Sequence, residues 1–175
     1  MDKLEKQKCP FCFKDSLTLI EDETEVPYFG KLFVFSMECS SCKAKQADVE
    51  SAEQKEPSKY TFTVESEKDM EIRVVKSSAA TIKIPQLRMS STPGPASEGY
   101  VSNIEGLLDR FVEVIEREKE TTDDDTERKH AKNLLKKIRK IKYGDIPLKI
   151  IIEDPTGNSA IISEKANIEK LKVKK

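Results

Sequence analysis

The sequence predicts a mainly β chain of the α+β class in two parts, and three observations carry that reading. All four cysteines fall in two C-x2-C pairs, Cys9-Pro-Phe-Cys12 and Cys39-Ser-Ser-Cys42, within the first 42 residues. From Tyr60 onward apolar residues recur with a period of two, the mark of half-buried antiparallel strands. Between Ser102 and Tyr143 the pattern changes to the 3.6-residue period of amphipathic helices.

The cysteine pairs come first because their chemistry is the most restrictive. Each C-x2-C turn aims two thiolates at one point, so Cys9, Cys12, Cys39 and Cys42 together supply a tetrahedral zinc site. The spacer of 26 residues exceeds the common 15–20 and predicts a zinc ribbon with a long hairpin between its knuckles. Two disulfides would need an oxidising compartment, yet the opening MDKLEKQK is charged where a secretory signal is apolar. A thioredoxin-like pair would use one C-x2-C and leave the other idle. Four thiolates close the coordination shell, so one structural Zn2+ is expected, holding a segment too small to be stable by apolar burial alone.

The segments around the cysteines read as strands. Ser16 to Ile20 and Lys31 to Met37 are rich in residues that suit a pleated surface, and Lys43 to Val49 can add another strand. Val26-Pro-Tyr-Phe-Gly30 is irregular, which can leave Tyr28 and Phe29 exposed as anchors for a partner or turned onto the next domain. Residues 1–51 are assigned to the ribbon, 52–59 to a linker, 60–165 to a β-domain and 166–175 to a basic, frayed tail.

In the β-domain, Tyr60, Phe62 and Val64, then Met70, Ile72 and Val74, then Ile82 and Ile84 give the alternation, Pro85 marks an edge or bulge, and Ser90 to Gly99 a loop. Ile104, Leu107, Leu108, Phe111, Val112 and Ile115 form one helical stripe behind a capping box at Ser102 and Glu105. A second helix follows Asp123-Asp-Asp125, carries Ala131, Leu134, Leu135, Ile138 and Ile141, and is capped by Gly144. The two helices, at 102–143, make an antiparallel hairpin inserted between strands that must pair with each other across it. Strands resume at Leu148, Ile150 and Ile152 and again at Ala160 to Ile162, around a turn built on Asp154, Gly157 and Asn158.

Charge narrows the function. The chain of 175 residues has 31 basic against 32 acidic residues, a balance unlike that of a dedicated nucleic-acid or membrane-surface binder. No apolar run reaches the roughly 18 residues of a membrane span, so a cytoplasmic protein is expected. The second helix is locally basic, with eight Lys or Arg against one acid between Glu127 and Lys142, and Lys136, Arg139 and Lys140 are candidates for an acidic partner surface or for RNA. The acidic first helix, with nine acids against three bases over Glu105 to Asp125, can neutralise it instead. No catalytic residue is assigned: the single histidine, His130, lies on a charged helix side, nucleotide-binding glycine motifs are absent, and Asp154 with Asn158 reads as a hydrogen-bonded turn.

Taken in order, Cys9-Pro-Phe-Cys12, Glu25-Val-Pro-Tyr-Phe-Gly30, Glu38-Cys-Ser-Ser-Cys42, Arg73-Val-Val-Lys-Ser77, Thr81-Ile-Lys-Ile-Pro-Gln-Leu87, Ile104-Glu-Gly-Leu107 and Glu153-Asp-Pro-Thr-Gly-Asn-Ser159 resemble the ZPR-type zinc-finger family, in its single-module, archaeal-like form. The resemblance implies a four-cysteine ribbon joined to a double-stranded β-helix, jelly-roll-like, with the helical hairpin inserted. It further implies a non-enzymatic protein that binds the GTPase translation elongation factor one-alpha and assists its folding, gripping it with ribbon and hairpin and taking no small-molecule substrate. An RNA-binding accessory of translation is the alternative. Two positions depart from the family pattern: Lys43 stands where a glycine usually follows the second knuckle, and Asn103 where threonine is common.

Overall fold

The computed structural model describes residues 1–27, 29–53 and 55–172. Four strands, β1 (Asp2–Lys8), β2 (Asp15–Val26), β3 (Gly30–Cys39) and β4 (Lys45–Ser51), form an antiparallel sheet in chain order. The long β2–β3 hairpin runs in unbroken register from Leu17 opposite Cys39 to Val26 opposite Gly30, which brings the two cysteine turns to one end of the sheet.

The rest is a jelly-roll domain. Strands β5 (Ser58–Val64), β6 (Arg73–Lys76), β7 (Thr81–Ile84), β8 (Met89–Ser91) and β9 (Tyr100–Asn103) precede helices α1 (Ile104–Thr121) and α2 (Asp125–Lys142), and β10 (Leu148–Asp154), β11 (Ala160–Ile161) and β12 (Asn167–Lys170) follow them. The strands make one sheet in the order β12-β5-β10-β7-β8 and another in the order β11-β6-β9. Strand β10 lies between β5 and β7, so segments on both sides of the helical insertion close on each other as expected. Phe62, Ile82, Ile150 and Ile152 from the larger sheet, Val74 and Ile161 from the smaller, and Leu107, Leu108, Ile138 and Ile141 from the hairpin share one core. Burial of such side chains, at about 1.5–3 kcal/mol each, is the main force holding the insertion to the sheets.

Strand β6 departs from the half-buried pattern. Val74 enters the jelly-roll core, while its neighbour Val75 packs with Val26, Phe29, Leu32 and Val49 of the ribbon. The strand is covered on both faces, which is why two valines stand side by side.

Several expectations are corrected. Glu67–Glu71 is a 3-10 turn, not strand, because Asp69 is buried and accepts from the Glu65 and Ser66 amides at 2.9 and 3.0 Å. Helix α1 is capped by Asn103, whose side chain accepts from the Gly106 amide at 2.8 Å, one residue later than the Ser102 box. The C-terminal segment is not frayed over its described part: β12 pairs with β5 from Asn167 opposite Thr61 to Lys170 opposite Ser58. Strand β1 lies in a segment read only as charged. At the end of α2 the expected glycine is in place, with Gly144 at φ +78° donating to Ile141 and Asp145 donating to Lys140, the two bonds of a Schellman cap.

Candidate metal centre

The knuckles are built alike. In the first, the Cys9 amide donates to Lys14 and the Phe13 amide to the Cys9 carbonyl, both at 2.9 Å; in the second, Cys39 donates to Ala44 at 2.9 Å and Lys43 to Cys39 at 3.0 Å. Each turn closes through a residue in the left-handed region, Phe13 at φ +60° and Lys43 at φ +62°. These turns project the four sulfurs to one point, where all lie within 4.8 Å of one another.

The spacing tests the metal. A tetrahedron with Zn–S bonds of about 2.3 Å has edges of about 3.8 Å, and the pairs Cys9–Cys42 and Cys12–Cys39 stand at 3.7 Å. A disulfide would need about 2.05 Å; all four thiols are free. Electrostatics agree. The Cys42 amide, followed by the Ser16 hydroxyl at 3.2 Å, holds the Cys39 thiol down at about 6. At Cys42 the Ala44 amide pulls downward, but burial and the neighbouring sulfurs outweigh it and push the thiol up to about 12. Four clustered thiols cannot all ionise without a cation among them, and a divalent ion removes that conflict. The site therefore fits one structural Zn2+ with no open coordination position for chemistry.

Sequence reasoning missed three residues here. Ser16 supports Cys39 from outside the ligand shell. Phe11 and Phe13 are 61% and 71% exposed on the first knuckle. The signal was present, since residues between and just after two ligating cysteines in so tight a turn cannot also face the metal.

The other expected site residues are dispersed. Tyr28 lies outside the described residues. Phe29 is only 6% exposed and docks the ribbon on the jelly roll, with Lys55 over its ring at 4.0 Å and bonded to its carbonyl at 2.8 Å, so it is not an exposed anchor. Asp154 is fully buried and accepts from Ser77 and Ser159 hydroxyls and from Thr156, a turn that leaves no carboxylate lone pair for catalysis. Asn158 reaches the ribbon, accepting from the Ser51 amide at 3.1 Å, and Gly157, at φ +73°, lets Glu56 approach. Lys136, Arg139 and Lys140 are exposed on α2, and among the described residues only Lys142 pairs across the hairpin, with Glu105 and Asp109. The acidic helix thus neutralises less of α2 than its composition suggests. His130 is exposed on the same helix.

Residues 3–57 match the ZPR1 zinc-finger domain and residues 68–175 the ZPR1 jelly-roll domain. The chain belongs to the ZPR1 family. It is 37% identical over 94% of its length to a ZPR1-like protein of Methanocaldococcus jannaschii, covering 83% of that protein. With a ZPR1-like protein of Pyrococcus horikoshii it shares 41% identity over 93% of its length and 75% of the relative. The zinc finger chaperone zpr1 of Schizosaccharomyces pombe is 33% identical over 87% of this chain, which spans 33% of that protein. Among the described residues no helix is long and apolar enough to cross a membrane.

Proposed function

We propose that this ZPR1-family protein is a non-enzymatic, zinc-dependent chaperone of the cytoplasm that holds a GTPase of the translation elongation factor one-alpha type during its folding or assembly. The observation that carries the reading is a pair of unused surfaces on one molecule. The metal centre is closed, yet the first knuckle presents Phe11 and Phe13 outward, and α2 presents Lys136, Arg139 and Lys140 without intramolecular carboxylate partners among the described residues. Aromatic and arginine side chains of this kind dominate protein interfaces. The motif series quoted above supports the choice of partner, and the zinc finger chaperone relative in fission yeast supports the chaperone role.

The test is capture of the GTPase from native cytosol on the zinc-loaded protein at physiological salt. The factor should be retained, and lost both after zinc chelation and in the Lys136→Gln, Arg139→Gln, Lys140→Gln variant; its absence from the wild-type bound fraction refutes the reading. The exposed basic row also favours a second reading, binding of RNA. That reading requires an affinity that falls steeply with salt and weakens in the same triple variant, and a flat salt dependence dismisses it.

A further inference from the structure

Between β8, the loop that follows it and α1 lies a cavity of about 620 Å³, within the range of ligand sites. Its floor is apolar, with Ile82, Met89, Phe111 and Val114, the last 49% exposed where the cavity opens. Its charge is mainly positive: Lys76 and Arg110 stand against the exposed carboxylate of Glu98 in its lining. Arg110 stacks 3.8 Å from the Tyr100 ring centroid and forms no ion pair or hydrogen bond among the described residues. Lys76 Nζ lies 5.7 Å from the same centroid although the residue is 4% exposed. Among the described residues its ammonium donates to neutral acceptors only, the carbonyls of Ser77 at 2.9 Å and Glu98 at 3.2 Å and the Ser97 hydroxyl at 3.5 Å. Burial lowers the Lys76 pKa more than Asp48 and Asp154 raise it, as expected for a buried charge that its own protein compensates incompletely. Cations in low-dielectric walls draw an anion, and an unpaired guanidinium suits a carboxylate in particular.

The fourth side of the cavity decides the shape of the ligand. Strand β8 ends the five-stranded sheet and, among the described residues, pairs only with β7, Ser91 opposite Ile82 and Met89 opposite Ile84. Its outer edge leaves backbone donors and acceptors open to an added strand.

We propose that this cavity takes an extended peptide that pairs with the open edge of β8, sets one aliphatic side chain against Met89, Phe111 and Val114, and gives the carboxylate of the residue two positions along, on the same face of the peptide, to Arg110. The inference does not depend on which partner the ribbon and hairpin grip. It is tested on the zinc-loaded full chain by fluorescence anisotropy with a fluorescein-labelled hexapeptide of sequence threonine-valine-leucine-glutamate-valine-threonine and its glutamine counterpart. The glutamate peptide should bind about tenfold tighter than the glutamine peptide, and Arg110→Gln should remove that difference. Val114→Asp, at an exposed position, should weaken binding of the glutamate peptide by repulsion, while Lys132→Gln, exposed on the hairpin, leaves it unchanged. Unlabelled peptide should displace the probe at much lower concentration than free 4-methylpentanoate. No binding, equal binding of the two peptides, an inert Arg110→Gln, an equal loss in Lys132→Gln, or 4-methylpentanoate competing as well as the peptide would each overturn the proposal.

Discussion

Lys43 closes the second knuckle with φ at +62°, a conformation that suits glycine, and replacing it should tighten zinc binding. A side chain in the left-handed region costs roughly 1–2 kcal/mol through the clash of Cβ with the backbone. Glycine removes that cost but gives the unfolded chain more freedom, which returns about 0.4–1 kcal/mol. The difference, about 0.5–1 kcal/mol in favour of Lys43→Gly, corresponds to a two- to fivefold change in an equilibrium constant. Since the metal end of the ribbon has little apolar core beyond Leu17 and the buried cysteines, its other buried residues packing at the jelly-roll junction, local folding free energy and zinc affinity are linked, and the gain appears in the metal Kd.

The assay is competition for zinc against a chromogenic chelator at neutral pH. Lys43→Ala separates charge from conformation: it keeps the strained backbone and loses the ammonium, which forms no ion pair among the described residues, so it should match wild type. Lys43→Val should bind more weakly, because a β-branched residue tolerates positive φ least. Phe13, at φ +60°, obeys the same rule, but its exposed ring makes it a poorer test. If Lys43→Gly binds zinc no tighter than Lys43→Ala, the left-handed turn is not a source of strain and the reasoning fails.

Two further perturbations probe the junction and the jelly roll. At Gly99 a Cβ would strike the Asp48 carboxylate and come within 2.7 Å of the Val49 nitrogen, so Gly99→Ala should push the loop off β4 and break the 2.9 Å bond from Gly99 to Ala47. A loss of about 1–3 kcal/mol lowers the melting temperature by about 2–4 °C per kcal/mol. Gly94→Ala, with nothing within 4 Å, is the control, and equal melting of both variants and wild type would sink this prediction. Asp69 tests the acid limb: burial raises its pKa, but the Glu65 and Ser66 amides, the Ser66 hydroxyl and Lys165 together bring it below its ordinary 3.8. A depressed carboxylate pKa adds stability that is present above the ordinary value and lost as pH falls through the folded one. Asp69→Asn should therefore destabilise the protein in urea at pH 7 and approach wild type at acid pH, and a difference that does not vary with pH would count against it.

What could be read from the sequence depended on whether side chains or backbone carried the stabilisation. Cys9, Cys12, Cys39 and Cys42 declare themselves because metal coordination is local in each turn, and Leu107, Leu108, Ile138 and Ile141 because a helix must bury a stripe. Strands β1 and β12 leave no such trace. Every residue of each is exposed, and each sits at the edge of its sheet, held by pairing with β2 or β5 and not by an apolar period. Phe29 was ambiguous for another reason: its burial depends on Val75 and Ala160, residues distant in sequence that only the docked jelly roll supplies.

That docking bears on how the protein can hold a partner. Val75 touches the ribbon cluster and Val74 the hairpin's core, and the first amide of α1, on Ile104, bonds the Ile72 carbonyl at 2.9 Å. One short strand thus joins the two proposed gripping surfaces, with Asp48 bonded to Ser78 and Asn158 to Ser51 as braces beside it. When two surfaces are fixed in this way, a ligand that binds one finds the other at high effective concentration, and little ordering entropy remains to be lost. A change that lets the ribbon swing, such as Gly99→Ala, should then weaken a two-surface partner although it alters neither surface.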